Sequence, residues 1–453
     1  MPRYWVETLG CPKNQVDSDK VVGRLEAEGH VRAGSAAEAD LVVVNTCAFI
    51  EAARQESVET VLALAAVKAD GARLVVTGCM AERYGSELAD ALPEVDLVAG
   101  FGVPVTLGRK GAARASDEGH RHGPGTFEDG APIPLLDLLN LPRPRSAAPW
   151  AYVKIAEGCD RSCGFCAIPS FRGPQRSRTV EAILAEVDAL EAKEIVLVAQ
   201  DLASYGRDVA GMGAGSIVGL VERVADRVER TRLLYLYPSD LSDGLIDVIG
   251  SATGVPYFDL SLQHVSKRLL RGMRRWGDGG RFLDRIADIR VRFPGAAFRS
   301  NFIVGYPGET ESDHDQLLDW LGEARLDWCG FFTYSQEEGT HAAHLPGSVP
   351  AGLAVERHRE LTEVQDRITS SAQAAQVGRV HRVLVDAPGV GRSHREAPEI
   401  DGLIHFGGEM PVGAFVDVRI TGLEGPDLVG EAVGSRLGRQ PTGGAGGDRG
   451  IRG

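Results

Sequence analysis

A chain of 453 residues with 43% hydrophobic content is long enough for about three domains, each burying its own core. Its 49 Lys and Arg stand against 63 Asp and Glu, and the formal charge of -14 argues against general affinity for nucleic-acid backbone and for attraction to a basic partner. The first residues lack a basic flank followed by an apolar core, the longest apolar stretch (58–67) is broken by Glu59 and Thr60, and the seven cysteines are odd in number. These features predict a cytoplasmic protein without a membrane span, whose cysteines serve as thiols in metal or redox chemistry.

Three short β-type runs open the chain at residues 4–8, 41–45 and 73–77, with helix-length segments at 16–28 and 51–68 between them. They predict a parallel α/β domain over residues 1–112. Gly, Pro, Asp, Arg and His then replace the pattern, and 113–148 is expected to be a connector. From 149 to 370 strands are expected near 152–155, 194–199, 233–237, 258–262, 298–304 and 330–334, with helices between them, such as 180–192 and 312–324. Six βα repeats suit an open or partial barrel with ligands at the carboxyl ends of its strands, by analogy with complete βα barrels. A helix over 351–376 leads to short strands at 380–386, 403–406 and 414–420, which predict a small antiparallel β-barrel of the oligonucleotide-binding type within 371–438. The Gly-rich tail, 439–453, lacks apolar residues and is expected to be disordered.

Cys159, Cys163 and Cys166 form C-x3-C-x2-C directly after the first barrel strand, in the loop where ligands should gather. Thiolates suit iron–sulfur clusters or zinc, and a closed zinc site needs a fourth ligand that is not evident nearby. Cys11, Cys47 and Cys79 share no local spacing, yet each follows one of the three opening β-runs, as Thr-Leu-Gly-Cys, Asn-Thr-Cys and Thr-Gly-Cys. In a parallel sheet those positions share one edge, the edge where open α/β sheets bind ligands. Taken singly each is better read as a small buried thiol; the matched placement of all three favours a second three-thiol site. Cys329, in Asp-Trp-Cys-Gly-Phe-Phe, has no such companions and reads as a packed thiol.

The runs Leu-Gly-Cys-Pro-Lys-Asn-Gln-Val-Asp-Ser from Leu9, Asn-Thr-Cys-Ala-Phe-Ile from Asn45, Gly-Cys-Met-Ala-Glu-Arg from Gly78 and Lys-Ile-Ala-Glu-Gly-Cys from Lys154 resemble the radical S-adenosylmethionine (SAM) methylthiotransferase family over nearly the whole chain. The resemblance implies a flavodoxin-like N-terminal domain, a partial radical-SAM (βα)6 barrel and a C-terminal TRAM barrel. It implies two 4Fe-4S clusters, an auxiliary one on Cys11, Cys47 and Cys79 and one on Cys159, Cys163 and Cys166 whose free iron chelates SAM. Cys11-Pro12-Lys13-Asn14 and Ile168-Pro169-Ser170-Phe171-Arg172-Gly173 resemble the branch acting on small-subunit ribosomal protein S-twelve, whereas the transfer-RNA branch usually shows Gly-Cys-Gln-Met-Asn at the first cysteine.

By the same resemblance Phe165 is an aromatic beside cluster and adenine, Gln200 and the adjoining Asp201 lie at the methionine-binding strand end, and Gly305 lies in the adenine-side loop. The family's Gly-Gly-Glu pattern is absent, and the stretch 303–310 also reads as a plain turn before a helix. Arg172, Arg176 and Arg178 read equally as partners of a carboxylate or as a solvated face. Between Ser371 and Arg436 six Arg and no Lys face nine Asp and Glu, a net charge of about -3, whereas nucleic-acid domains more often have a pI above about 9. The barrel therefore suits a basic ribosomal protein as partner rather than nucleic acid.

The implied reaction uses one SAM to methylate a sulfide at the auxiliary cluster and a second to form a 5′-deoxyadenosyl radical, giving 3-methylthioaspartate. An electron donor such as flavodoxin or ferredoxin is expected, with a sulfur donor that the sequence does not identify. The alternative enzyme is a transfer-RNA adenosine methylthiotransferase, and the alternative class is a two-cluster electron carrier or metal-stabilised binding module.

Overall fold

The computed structural model describes residues 1–105, 136–213 and 215–433. The first part of the expected connector, to residue 135, and the expected disordered tail lie outside them. In the N-terminal domain β1 (Arg3–Thr8), β2 (Val31–Arg32), β3 (Leu41–Thr46), β4 (Arg73–Gly78) and β5 (Leu97–Ala99) pair in parallel in the order β2-β1-β3-β4-β5. This is the flavodoxin-like order. Strands β3 and β4 are buried at every residue, which is why they read as unbroken apolar runs. At two and three residues, β2 and β5 are too short to leave a period in the sequence. Helices α1 (Pro12–Ala27), α2 (Glu51–Val67) and α3 (Cys79–Ala91) follow β1, β3 and β4. α1 begins four residues before the predicted start, with Pro12 in the first turn, where its fixed φ and missing N–H cost nothing.

In the central domain β6 (Trp150–Lys154) is followed by a small antiparallel pair, β7 (Ala156–Glu157) with β8 (Arg176–Ser177), which brackets α4 (Ile168–Arg172). Then come α5 (Val180–Leu190), β9 (Glu194–Val198), α6 (Ser216–Ala225), β10 (Arg230–Leu233), α7 (Asp243–Ser251), β11 (Tyr257–Gln263), α8 (Lys267–Gly272), α9 (Gly279–Arg292), β12 (Ala297–Val304), α10 (Glu311–Ala324) and β13 (Trp328–Thr333). The six long strands are parallel in two sheets, β6-β9-β10 and β11-β12-β13, joined by a bridge between Leu236 and Leu260, and form the expected open barrel. The third strand ends at Leu233 rather than 237, because Tyr235 has a φ of 64° that an extended strand cannot carry.

Alternate residues of these strands sort to two faces. Val153, Ile195, Leu197, Phe258 and Phe298 pack on the covering helices. Their neighbours Tyr152, Val196, Val198, Tyr257 and Ala297 form the concave face, and Val16 of α1 is buried among them. The N-terminal domain is thus seated on the open side of the barrel.

α11 (Ala351–Ala374) leads to β14 (Val380–Ala387), β15 (Val390–Arg392), β16 (Ile404–Gly407), β17 (Phe415–Glu424) and β18 (Asp427–Ala432), which close in the order β14-β15-β16-β18-β17. One closing pair, β16 with β18, is parallel; the other pairings are antiparallel. Arg392 docks this barrel on the central domain through Glu194, at 3.0 Å, and both side chains are buried. The described end of the connector is packed: Leu139 is buried, its carbonyl accepts from Lys20, and Arg143 pairs with Asp19 at 2.8 Å. Among the described residues no helix is long and apolar enough to cross a membrane.

Candidate functional site

The register of the N-terminal sheet places its three cysteines at one edge. Thr8 lies opposite Asn45, Asn45 opposite Thr77 and Thr46 opposite Gly78, so the chain leaves three adjacent strands at Cys11, Cys47 and Cys79 side by side. Gly10 and Gly78 make that closeness feasible. Both have positive φ, and a Cβ on Gly10 would lie 2.8 Å from Cys47 Cβ and 3.0 Å from its Sγ. A Cβ on Gly78 would lie 2.2 Å from Asn45 Oδ1. Asn14 ties the edge together: its Nδ2 donates to the carbonyls of Leu9 (2.9 Å) and Thr46 (3.1 Å). The Cys47 N–H is held by Ser57 Oγ at 3.1 Å.

The thiols differ in environment. Burial pushes Cys47 up to about 12 and raises Cys79, the latter against the pull of Arg172. Burial acts the same way on Cys11, but Lys13, Arg172 and the N–H groups of Asn14 and Lys13 outweigh it and leave that thiol below its ordinary value. Each of these thiols is within electrostatic reach of another of the three.

Cys159, Cys163 and Cys166 lie in the loop between β7 and α4. Gly158 is required before the first of them, since a Cβ there would lie 2.1 Å from the Pro174 carbonyl oxygen. The loop is pinned at Gly164, whose N–H donates to Met273 O at 2.8 Å. Arg161 N donates to Cys159 Sγ at 3.4 Å, and Arg275 Nη1 to Cys163 Sγ at 3.4 Å. The Arg161 side chain is held by Asp201 at 2.5 Å, by Ser204 and by Asp240. Burial pushes Cys159 up to about 11 and Cys166 to about 12.

The two sets meet through Arg172, the last residue of α4, whose side chain is only 3% exposed. Nη2 donates to Cys79 Sγ (3.0 Å) and Asn14 Oδ1 (2.8 Å); Nη1 donates to Glu157 Oε1 (2.8 Å) and Asp17 Oδ2 (3.3 Å). Lys154 also donates to Asp17 and, at 2.8 Å, to Glu157. Two cations therefore face two carboxylates beside the thiols. Burial opposes ionisation of Glu157, yet Arg172 and Lys154 hold it far below the usual carboxylate range.

The remaining sequence-predicted residues are placed as follows. Gln200 donates Nε2 to Glu157 Oε1 at 2.7 Å, and its own Oε1 is buried with no hydrogen-bond partner among the described residues. Phe165 is half-buried against the barrel core. Gly305 has φ of 79°, gives its N–H to Glu309 Oε2 at 2.5 Å, and lies where a Cβ would meet Ala354 Cβ of α11 at 2.9 Å. Arg178 is neither solvated nor open to a ligand, being buried on Glu186 at 2.7 Å, whereas Arg176 is exposed beside Asp137. Cys329 is half-buried in the barrel core, where burial raises its thiol. Asn14, Asp17, Lys154 and Glu157 went unread in the sequence. Their signal was that each is a polar residue within a few positions of a cysteine, inside a motif that already carried the resemblance.

Among the described residues no three His, Cys, Asp or Glu side chains converge closely enough for a single metal ion. A four-iron cluster asks for something else: thiolates spread around the corners of a cube, with hydrogen bonds and cations to offset their charge. Both cysteine sets supply three thiols with the donors and cations such a group needs, Arg172 and Lys13 at one and Arg161 and Arg275 at the other. The residues fit such a group.

The family described as Uncharacterized protein family UPF0004 matches residues 3–100, the Radical SAM superfamily residues 153–321 and the TRAM domain residues 377–433. The chain is 43% identical to the ribosomal protein uS12 methylthiotransferase RimO of Moorella thermoacetica over 93% of its own length and 97% of that protein's. The RimO proteins of Streptomyces coelicolor (41% identical, 94% and 96% covered) and Sorangium cellulosum (42%, 94% and 90%) are similar to the same degree. Among solved structures, the radical S-adenosylmethionine methyltransferase TsrM from Kitasatospora setae, with cobalamin and a 4Fe-4S cluster bound, superposes with a TM-score of 0.51 at 14% identity. It covers 88% of this chain and 81% of that one, and the likeness is one of fold.

Proposed function

Because this chain belongs to the ribosomal protein uS12 methylthiotransferase family, we propose that it adds a methylthio group to the β-carbon of an aspartate of uS12, giving 3-methylthioaspartate. The observation that carries this reading is the buried meeting of two three-thiol edges at Arg172, which joins Cys79 to the loop of Cys159 through Glu157. Cys159, Cys163 and Cys166 would hold a four-iron cluster that with SAM would supply a carbon radical able to take hydrogen from an unactivated C–H bond, and Cys11, Cys47 and Cys79 would hold a second that would supply the sulfur.

The protein's own residues do the positioning. Asp201 and Asp240 hold Arg161 against the first loop, and Gly10 and Gly78 let the other three thiols close up. Gln200 presents an unpartnered amide oxygen to the ammonium of SAM, while Phe165 and the loop of Gly305 bound the adenine side, Gly305 itself being required for the close approach of Ala354 of α11. The labour divides by domain: 1–112 holds the sulfur-carrying cluster, 149–370 forms the radical and 371–438 docks the substrate. Arg392 and Arg395 of the last domain are paired with Glu194 and Asp386 and with Asp327, and its acids Asp386, Glu396 and Asp401 are likewise held by Arg392, Ser393 and Arg299, which leaves four Arg against six Asp and Glu. What remains on its surface is acidic and suits a basic ribosomal protein.

The test is anaerobic turnover of the reconstituted protein with SAM, reductant and sulfide, offered uS12 and transfer RNA together. Mass spectrometry should find a methylthio group on one uS12 aspartate. Modification of transfer-RNA adenosine with uS12 untouched would overturn the assignment.

A further inference from the structure

Two tyrosines on the segment after β10 span the space between the cysteine sets. Leu236 is anchored by its bridge to Leu260, and the residues on either side of it face the site. The Tyr237 ring lies between the guanidinium groups of Arg161 (4.0 Å) and Arg275 (4.1 Å); the Arg275 guanidinium donates to Cys163 Sγ, and the Arg161 backbone N–H donates to Cys159 Sγ. Tyr235 packs against the concave face of the barrel, within electrostatic reach of Cys11. Two residues of backbone thus run from one set of thiols to the other.

The ammonium of Lys13 hangs over Tyr235, with Nζ 3.9 Å from the ring centroid. Lys13 is half-buried, in the first turn of α1, and acts on the neighbouring Cys11 thiol. Among the described residues no carboxylate pairs with it. The other lysines at this interface are satisfied, Lys20 by Glu186 and Lys154 by Asp17 and Glu157. Its described neighbours are the Tyr235 ring face and the Cys11 thiol, so an ammonium drawn partly out of water keeps donors available to a carboxylate oxygen.

The reacting carbon has to lie where a radical formed at one thiol set and sulfur held at the other both reach it. In an aspartate that carbon is bonded to the carboxylate carbon, so the carboxylate lies in the same narrow space. We propose that Lys13 binds the side-chain carboxylate of the target aspartate and makes the enzyme select an acid over an amide at the reacting carbon. This rests on the substrate reading given above. The carboxylate of SAM is the less suitable partner, because SAM binds beside the Cys159 set and Lys13 stands beside Cys11.

The experiment compares Lys13→Met and Lys13→Arg with the wild type, all as reconstituted full-length protein, on uS12 carrying either its natural target aspartate or asparagine there. A charge-assisted hydrogen bond accounts for roughly ten- to hundredfold discrimination. Wild type should favour aspartate by at least tenfold in kcat/KM, Lys13→Met should lose that preference, and Lys13→Arg should keep most of it. Because the readout is a ratio between two substrates, a general slowing by partial damage to the nearby cluster cancels, and the iron content per chain of each variant is measured so that the ratio is read on loaded protein. An unchanged ratio in Lys13→Met overturns the proposal. An equal loss on both substrates with a raised KM for SAM also overturns it and assigns the ammonium to SAM. Failure of the wild type to modify any aspartate of uS12 brings down the substrate reading and this assignment together.

Discussion

Replacing Arg172 by Gln removes four donated hydrogen bonds, to Cys79, Asn14, Glu157 and Asp17, from a side chain that is 3% exposed. It leaves the Asp17 and Glu157 carboxylates facing the single ammonium of Lys154. Breaking one member of a buried ion-pair group costs about 3–5 kcal/mol, because the orphaned charge stays out of water. Lys is a poor substitute as well, since a point charge cannot serve partners on both sides of a planar guanidinium. The assay is urea unfolding of the apoprotein, followed by tryptophan fluorescence, with Arg145→Gln as control. Arg145 is 63% exposed in its pair with Glu191, so its loss is expected to cost less than about 1 kcal/mol. Adding Glu157→Gln to the Arg172 variant removes the orphaned charge and should recover a large part of the loss. A destabilisation by Arg172→Gln below about 1 kcal/mol, or no recovery in the double variant, would refute the view that this buried cluster of charges contributes substantially to the seat between the two domains.

Glu194 provides a pH test of how the C-terminal barrel is docked. Burial alone raises this carboxyl, but Arg392, Arg232 and Arg230 outweigh it and hold it at about 2 against an ordinary 4.5. A folded pKa below the unfolded one means stability that is present above pH 4.5 and is lost as the pH falls towards 2; a shift of this size is worth roughly 3 kcal/mol. Stability measured from pH 5 to 2 should therefore fall more steeply in wild type than in Glu194→Gln, and parallel slopes would refute the assignment. The two cysteine sets separate in a third experiment, in which reconstituted wild type should hold about eight iron per chain. Cys47→Ala should lose methylthio transfer while still producing 5′-deoxyadenosine, and Cys163→Ala should lose both; methylthiolation by Cys47→Ala at the wild-type rate would make the N-terminal cysteines structural.

Local spacing made much of this protein legible in one dimension. C-x3-C-x2-C is a loop-scale motif, and a cysteine after each of three apolar runs follows from the way parallel strands share an edge. Both survive in the fold because the backbone alone places them, through strand register and through Gly10, Gly78 and Gly158, whose Cβ atoms would collide with neighbouring backbone or side chains. Tertiary structure decided the rest. Arg172 and Arg178 are six residues apart and alike in composition, yet one reaches Asn14, 158 positions away, and the other is spent on Glu186. Lys13 stands over a tyrosine more than two hundred residues further on, and Tyr235 is available to it only because a left-handed residue ends the third barrel strand early. Periodicity carries the local fold because burial repeats with the period of a helix or strand; a side chain's partner across a domain boundary depends on how whole faces dock, and no short window of sequence contains both partners.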